Sequence, residues 1–163
     1  MAKEKFHKTQ AVRVLNQNRV NFSLHSYKYE EKGGTQTAAR ELGVEEHLVI
    51  KTLVMEDQEK KPFLVLMHGD REVSTKALAR TLGVKAVRPS TPEIAHKHTG
   101  YVVGGISPFG TRKPLKVLVE SSILELPRIF INAGKRGLLA EMSPKDLKNV
   151  LHPVPVSVAI PRK

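Results

Sequence analysis

A chain of 163 residues, 40% hydrophobic and 26% charged, is long enough for one domain with a real core and has the balance of a soluble globular protein. It contains no cysteine, which excludes disulfides, thiolate metal sites and a cysteine nucleophile, and no apolar run nears the roughly 18 residues that cross a bilayer. Lys and Arg number 27 against 16 Asp and Glu, and the resulting +11 suits a polyanionic partner as well as it suits a merely basic soluble protein.

The opening MAKEKFHKTQ is too polar for a signal peptide, and a cytoplasmic protein free of membranes is expected. Residues 1–8 read as a flexible end. From Thr9 to Val20, apolar Ala11, Val14 and Leu15 fall at helical spacing. Asn21 to Tyr29 alternates at Phe22 and Leu24 and reads as a strand. Thr35 or Thr37 is placed to cap a helix through Ala38, Ala39 and Leu42, which Gly43 ends. The β-branched runs His47–Glu56 and Pro62–His68, joined by the charged turn EDQEKK, predict a hairpin. Ser74 caps a helix that stops at Gly83, and Thr91-Pro92-Glu93 opens another that runs to about His98. Leu115–Glu120, Arg128–Asn132 and Gly137–Met142 read as strands. Ser143-Pro144 opens a last helix to Leu151, Pro153–Val158 an edge strand, and 159–163 a second loose end. Short helices interleaved with hairpin-like strands predict a single mixed α/β domain on a largely antiparallel sheet.

Lys51 is the only charge in LVIKTLVM, within an expected interior strand. Such a lysine either lays its stem along the sheet and turns outward, or points into a cleft, where it would meet a phosphate or an oxyanion. The stretch TGYVVGGISPFGTRKP interrupts an apolar run with Gly104-Gly105, then Ser107-Pro108 and Gly110, and adds Arg112-Lys113. Paired glycines weaken a strand but let the main chain bend or approach a ligand closely. Asn132 to Gly137, NAGKRG, repeats that theme with Lys135 and Arg136, either as a plain hairpin turn or as a donor site with cationic flanks. His96 and His98 lie two apart on a helix and face different sides, so no metal site is expected, and no cofactor motif is present. Gly-x-Ser-x-Gly is absent, and Ser107 before a proline reads as a turn hydroxyl. The chain offers no obvious nucleophile.

IKTLVM, GYVVGGISPFG and NAGKRGLLAEMSPKDL, in this order and at these separations, resemble the YbaK family of aminoacyl-tRNA deacylases, which is similar to the editing domain inserted in bacterial prolyl-tRNA synthetases. The resemblance spans about Phe22 to Val150. GGISPFG with Lys-Thr-Leu resembles the branch that hydrolyses cysteinyl-tRNA(Pro) more than the one that clears alanyl-tRNA(Pro). It implies a mixed, barrel-like sheet with flanking helices, Lys51 as the essential lysine, and Gly104 to Pro108 as the loop lining the aminoacyl pocket. On that basis the main chain at Gly104 and Gly105 serves catalysis. Tyr27, Thr52, Ile106, Ser107, Pro108, Asn132, Ala133 and Gly134 hold the substrate, with Asn132 standing where a relative has serine. Arg112, Lys113, Lys135 and Arg136 meet the acceptor stem. The implied partners are mischarged tRNA(Pro) and prolyl-tRNA synthetase. Rival readings are hydrolysis of alanyl-tRNA(Pro) or another small aminoacyl ester by water, a non-catalytic tRNA- or synthetase-binding module of the same fold, and a basic protein whose glycine turns are only turns.

Overall fold

The computed structural model describes residues 8–162, so the expectation for residues 1–7 lies outside the described residues. The described chain runs α1 (Gln10–Gln17), β1 (Phe22–Ser26), α2 (Gly34–Leu42), β2 (Val49–Asp57), β3 (Pro62–His68), β4 (Arg71–Val73), α3 (Thr75–Leu82), β5 (Val87–Pro89) and α4 (Pro92–Thr99). It continues through β6 (Val117–Glu120), β7 (Ile129–Lys135), β8 (Leu138–Met142), α5 (Pro144–Leu151), β9 (Val154–Val156) and β10 (Ala159–Pro161).

The sequence signals at helix starts act as written at α3, α4 and α5, where Ser74, Thr91 and Ser143 accept main-chain N–H groups from Ala77, Ile94 and Lys145. Thr9 does the same for α1 through Val12. The expected cap of α2 is different. Gly33 stands at the cap without a side-chain bond, and Thr35 and Thr37 lie inside the helix. Their hydroxyls turn elsewhere, Thr35 to Glu46 and the Gly69 carbonyl, Thr37 to Glu30.

The main sheet has eight strands in the order β1-β8-β7-β2-β3-β6-β9, with β5 also paired to β2. Within it β2–β7, β3–β6 and β6–β9 are parallel and the other pairs antiparallel. Alternation along β3 sends Leu64 and Leu66 into a core with Leu15 of α1, Ala95 of α4 and Leu147 of α5. Phe63, Val65 and Met67 face the opposite side, where Leu78 of α3 packs. Ala38 and Ala39 of α2 cover Val49, Phe130 and Leu139 beside it. Each fully buried leucine or isoleucine contributes about 1.5–3 kcal/mol, so helices on both faces hold the sheet.

Residues 159–161 are not a loose end. They form β10 antiparallel to β4, in the register Ala159↔Val73, Ile160↔Glu72 and Pro161↔Arg71. Val158 just before them is pinned twice, its N–H to Glu120 at 2.8 Å and its carbonyl to the Ser74 N–H at 2.8 Å.

A cleft at a break in the sheet

β2 pairs along its length with β3, but its other edge is shared by two strands that do not meet. β7 runs beside it only at Val49 and Ile50, and β5 joins only from Met55 to Asp57. The Val54 carbonyl accepts from Ser90 N–H on the β5 side. Two residues earlier, Thr52 therefore turns its own main-chain N–H and C=O the same way, into the gap. The Thr52 hydroxyl is buried without a hydrogen-bond partner among the described residues. A buried unpaired hydroxyl is costly, and such a group at a cleft is a place for a ligand.

The gap opens into a cleft of about 790 Å³ lined by every residue of β2 from Val49 to Met55. Consecutive residues of a strand face opposite sides, so an open edge is what lets both sets line one space. Lys51 and Gly104 both line it. Lys51 is half-buried, and its pKa lies below the ordinary lysine value: burial and the Arg162 charge lower it, while Glu72, Glu46 and Asp70 oppose them. Lys32, Arg136 and Arg162 also line the cleft, against the acids Glu31 and Glu46. Four cations to two carboxylates favour an anionic occupant.

The glycine-rich loop is a built wall. Gly104 adopts φ +94, and a Cβ there would lie 2.5 Å from the Tyr29 hydroxyl. No described residue accepts its N–H. The amide of Gly105 has no such freedom, since it donates to the Val102 carbonyl at 2.8 Å. Gly105, expected beside Gly104 in catalysis, lets the loop approach the main chain of Lys135 and Arg136, whose atoms would lie 2.8–2.9 Å from a Cβ. Arg136 closes the contact with its Nε donating to the Val103 carbonyl at 2.9 Å and its guanidinium 5.1 Å from the centre of the Tyr29 ring.

Asn132 begins the bulge in β7 and brackets it. Its Oδ1 accepts from Gly134 N–H at 2.6 Å and Lys135 N–H at 3.1 Å, while Nδ2 donates to the carbonyls of Lys135 and Gly104. Of the expected substrate-holding residues, Tyr27, Thr52, Ile106 and Asn132 line the cleft. Burial raises the Tyr27 phenol above its usual pKa, with Tyr29 adding to it.

Ser107, Pro108, Ala133 and Gly134 do not line it. Ser107 is wholly buried and its hydroxyl accepts from Phe109 N–H, the turn role its proline neighbour indicated. Pro108 is buried beside it, and Ala133 and Gly134 back the wall against Thr9 and Tyr101. Of the four basic residues expected to meet the acceptor stem, Arg136 alone lines the cleft. Lys135 is exposed on the same turn, and Arg112 and Lys113 are exposed beyond α4, their N–H groups donating to Thr99 and His98.

Sequence reading missed Tyr29, Glu46 and Arg162. Tyr29 had one signal, an aromatic side chain in a chain with only 5% of them. Glu46 and Arg162 had none, because they meet only through the pairing of β10 with β4. His47, His68 and Asp70 also gather within 4.8 Å. The two imidazoles stack at 3.7 Å and 5°, so their ring planes are parallel. Both His68 nitrogens are engaged, by the His47 carbonyl and Ser122, and His47 Nδ1 meets Asp70 at 2.8 Å. These bonds tie the three residues into one hydrogen-bonded unit.

The model of the aminoacyl-tRNA editing domain family matches residues 30–150. A protein of Enterococcus faecalis, provisionally named Cys-tRNA(Pro)/Cys-tRNA(Cys) deacylase EbsC, is 31% identical over 149 residues, covering 90% of this chain and 91% of its own. A proline–tRNA ligase of Thermodesulfovibrio yellowstonii is 31% identical over 118 residues, which cover 72% of this chain and 20% of the ligase. The crystal structure of a protein provisionally described as a trans-editing enzyme for prolyl-tRNA synthetase superposes with a TM-score of 0.81 at 21% identity, over 93% of this chain and 95% of that one. The chain belongs to the aminoacyl-tRNA editing family, the YbaK family. Its mixed sheet with flanking helices is the fold of that family. No helix among the described residues is long and apolar enough to cross a membrane.

Proposed function

We propose that this protein edits in trans, cleaving the ester of cysteinyl-tRNA(Pro) with the substrate's own thiol as nucleophile. The observation that carries the reading is the convergence of Lys51, the unpaired Thr52 hydroxyl and the free N–H of Gly104 on one cleft that holds no serine–histidine pair or other poised nucleophile among its lining residues. The name given to the Enterococcus relative and the prolyl-tRNA synthetase relatives point the same way.

The thiol of cysteine has a pKa of about 8.5, which leaves a useful thiolate fraction near neutral pH. Its sulfur attacks the ester carbonyl carbon. The carbon–oxygen bond to the ribose breaks, the electron pair leaves on the ribose oxygen, and that oxygen takes a proton from water. The products are free tRNA and a four-membered thiolactone, which water opens to cysteine. Well-oriented intramolecular attack supplies about 7–11 kcal/mol, and one oxyanion donor about 2.7–4 kcal/mol. Gly104 N–H and Thr52 supply donors, and Lys51 binds the terminal phosphate or the developing charge. It acts as a fixed positive charge and not as a base. Arg112, Lys113, Lys135 and Arg136 meet acceptor-stem phosphates, and prolyl-tRNA synthetase is the partner that presents the tRNA.

The test is deacylation of tRNA(Pro) charged with cysteine, alanine or serine, by the unsubstituted chain and by Lys51→Ala. Cysteinyl-tRNA(Pro) is expected to be cleaved fastest. Lys51→Ala is expected to lose about 10²–10³-fold, the scale of one removed oxyanion group. Lys51→Arg is expected to restore little, because a planar fork differs from an ammonium in shape and reach. Equal rates on cysteine and serine esters replace the thiol with an activated water, and unchanged hydrolysis by Lys51→Ala ends the assignment of that residue.

A further inference from the structure

The half-buried ammonium of Lys51 stands among three carboxylates and is paired with none of them among the described residues. Asp70 is bound to His47 at 2.8 Å. Glu72 lies on β4, opposite Ile160, and acts on Lys51 through space. Glu46 lines the same cleft as Lys51, on the short helical turn just before β2. Its Oε2 accepts from the Thr35 hydroxyl at 2.8 Å and from Arg162 Nη1 at 2.7 Å. Burial works to raise the Glu46 carboxyl, and these two bonds overcome it and hold the group below its usual pKa.

Arg162 reaches that carboxylate because β10 carries it there. The segment is fixed at Val158 by Glu120 and Ser74, then along β4, so the guanidinium arrives at the cleft on a rigid lead. It also donates to the Gly69 carbonyl at 3.4 Å, while its Nε and Nη2 engage no described residue.

We propose that Arg162 is a positioning residue: by occupying Glu46 it keeps that carboxylate off Lys51, and so leaves the lysine ammonium open to substrate. An arginine suits the task because its charge is permanent and its fork holds a carboxylate in a fixed direction. Without it, Glu46 is left in the cleft beside an unpaired cation and closes on it. The lysine is then neutralised by its own protein. The inference rests on the deacylase reading only for its consequence, since the pairing of Lys51 is measurable without any substrate.

The experiment acylates surface amines of the full chain with a small succinimidyl ester at one pH and reads modification of Lys51 by mass spectrometry, with cysteinyl-tRNA(Pro) deacylation measured in parallel. In Arg162→Ala, labelling of Lys51 is expected to fall about tenfold, as for a lysine that gains a close carboxylate. Deacylation is expected to fall with it. Glu46→Gln added to Arg162→Ala is expected to return both, which loss of folding would not allow. Arg162→Lys, still able to hold Glu46, is expected to stay near the unsubstituted chain in both. Labelling of Lys51 that is equal or faster in Arg162→Ala overturns the inference. So does failure of Glu46→Gln to restore labelling, or deacylation that stays intact while labelling falls. If the unsubstituted chain cleaves no aminoacyl ester, the deacylase reading fails by itself, and labelling still decides the role of Arg162.

Discussion

At the scale of single residues, the two adjacent glycines do different work. Gly104 has a left-handed conformation against Tyr29, whereas Gly105 is a point of main-chain approach. A methyl group at Gly105 meets the amide nitrogen of Arg136 at 2.8 Å and the carbonyl carbon of Lys135 at 2.9 Å, and neither can swing away. Gly105→Ala is therefore expected to cost about 1–3 kcal/mol, as overpacking does. For a chain of this size that lowers the melting temperature by roughly 2–12 °C. An unchanged melting curve means that the loop and the 135–136 turn are not in contact. The sequence marked this pair as a place where backbone comes close to something. It did not say what, because the partners lie 30 residues further on and only the bulge in β7 brings them back. Lys51 was legible for a plainer reason: one charge in an apolar run either escapes outward or faces a cleft.

At the scale of elements, the bulge of β7 is held by one amide side chain. Asn132 satisfies two main-chain donors and two carbonyls, one of them on Gly104 of the neighbouring loop. Asn132→Ala leaves these groups unpaired at about 1–3 kcal/mol for each one shut away from water. The expected outcome is a lower melting temperature and a several-fold higher KM for cysteinyl-tRNA(Pro). Asn132→Asp keeps the acceptor and loses the donor, so it is expected to retain the bulge and free the Gly104 loop. Equal KM in Asn132→Ala and the unsubstituted chain removes the residue from the wall. Element starts were readable wherever a serine or threonine had no better partner, as at Ser74, Thr91 and Ser143. Thr35 failed as a cap signal because its hydroxyl found Glu46 and Gly69. The strands β4, β5 and β10 are three residues each, too short to show a period.

At the scale of the molecule, the +11 includes Arg136 in the cleft lining, Lys135 exposed on the same turn, and Arg112 and Lys113 exposed beyond α4. If those four residues each neutralise one stem phosphate, the logarithm of tRNA affinity is expected to fall against the logarithm of salt with a slope of about −3.6. Between 50 and 200 mM salt this is about a 10²-fold loss. Titration of tRNA(Pro) at several salt concentrations reads the slope, and a flat line removes these contacts. The mixed class of the fold was legible from short helices among hairpin-like runs. The strand order was not, since the parallel neighbours β3 and β6, and β6 and β9, are separated by long stretches of chain with no local signature. The interrupted edge of β2 has one more consequence. A folded sheet normally spends its amides on itself, yet between β7 and β5 a rung of β2 is withheld where Thr52 faces the hollow. Whatever enters can take that rung, and in doing so it knits two strands the polypeptide keeps apart. The opening is thus as much a product of folding as the core is.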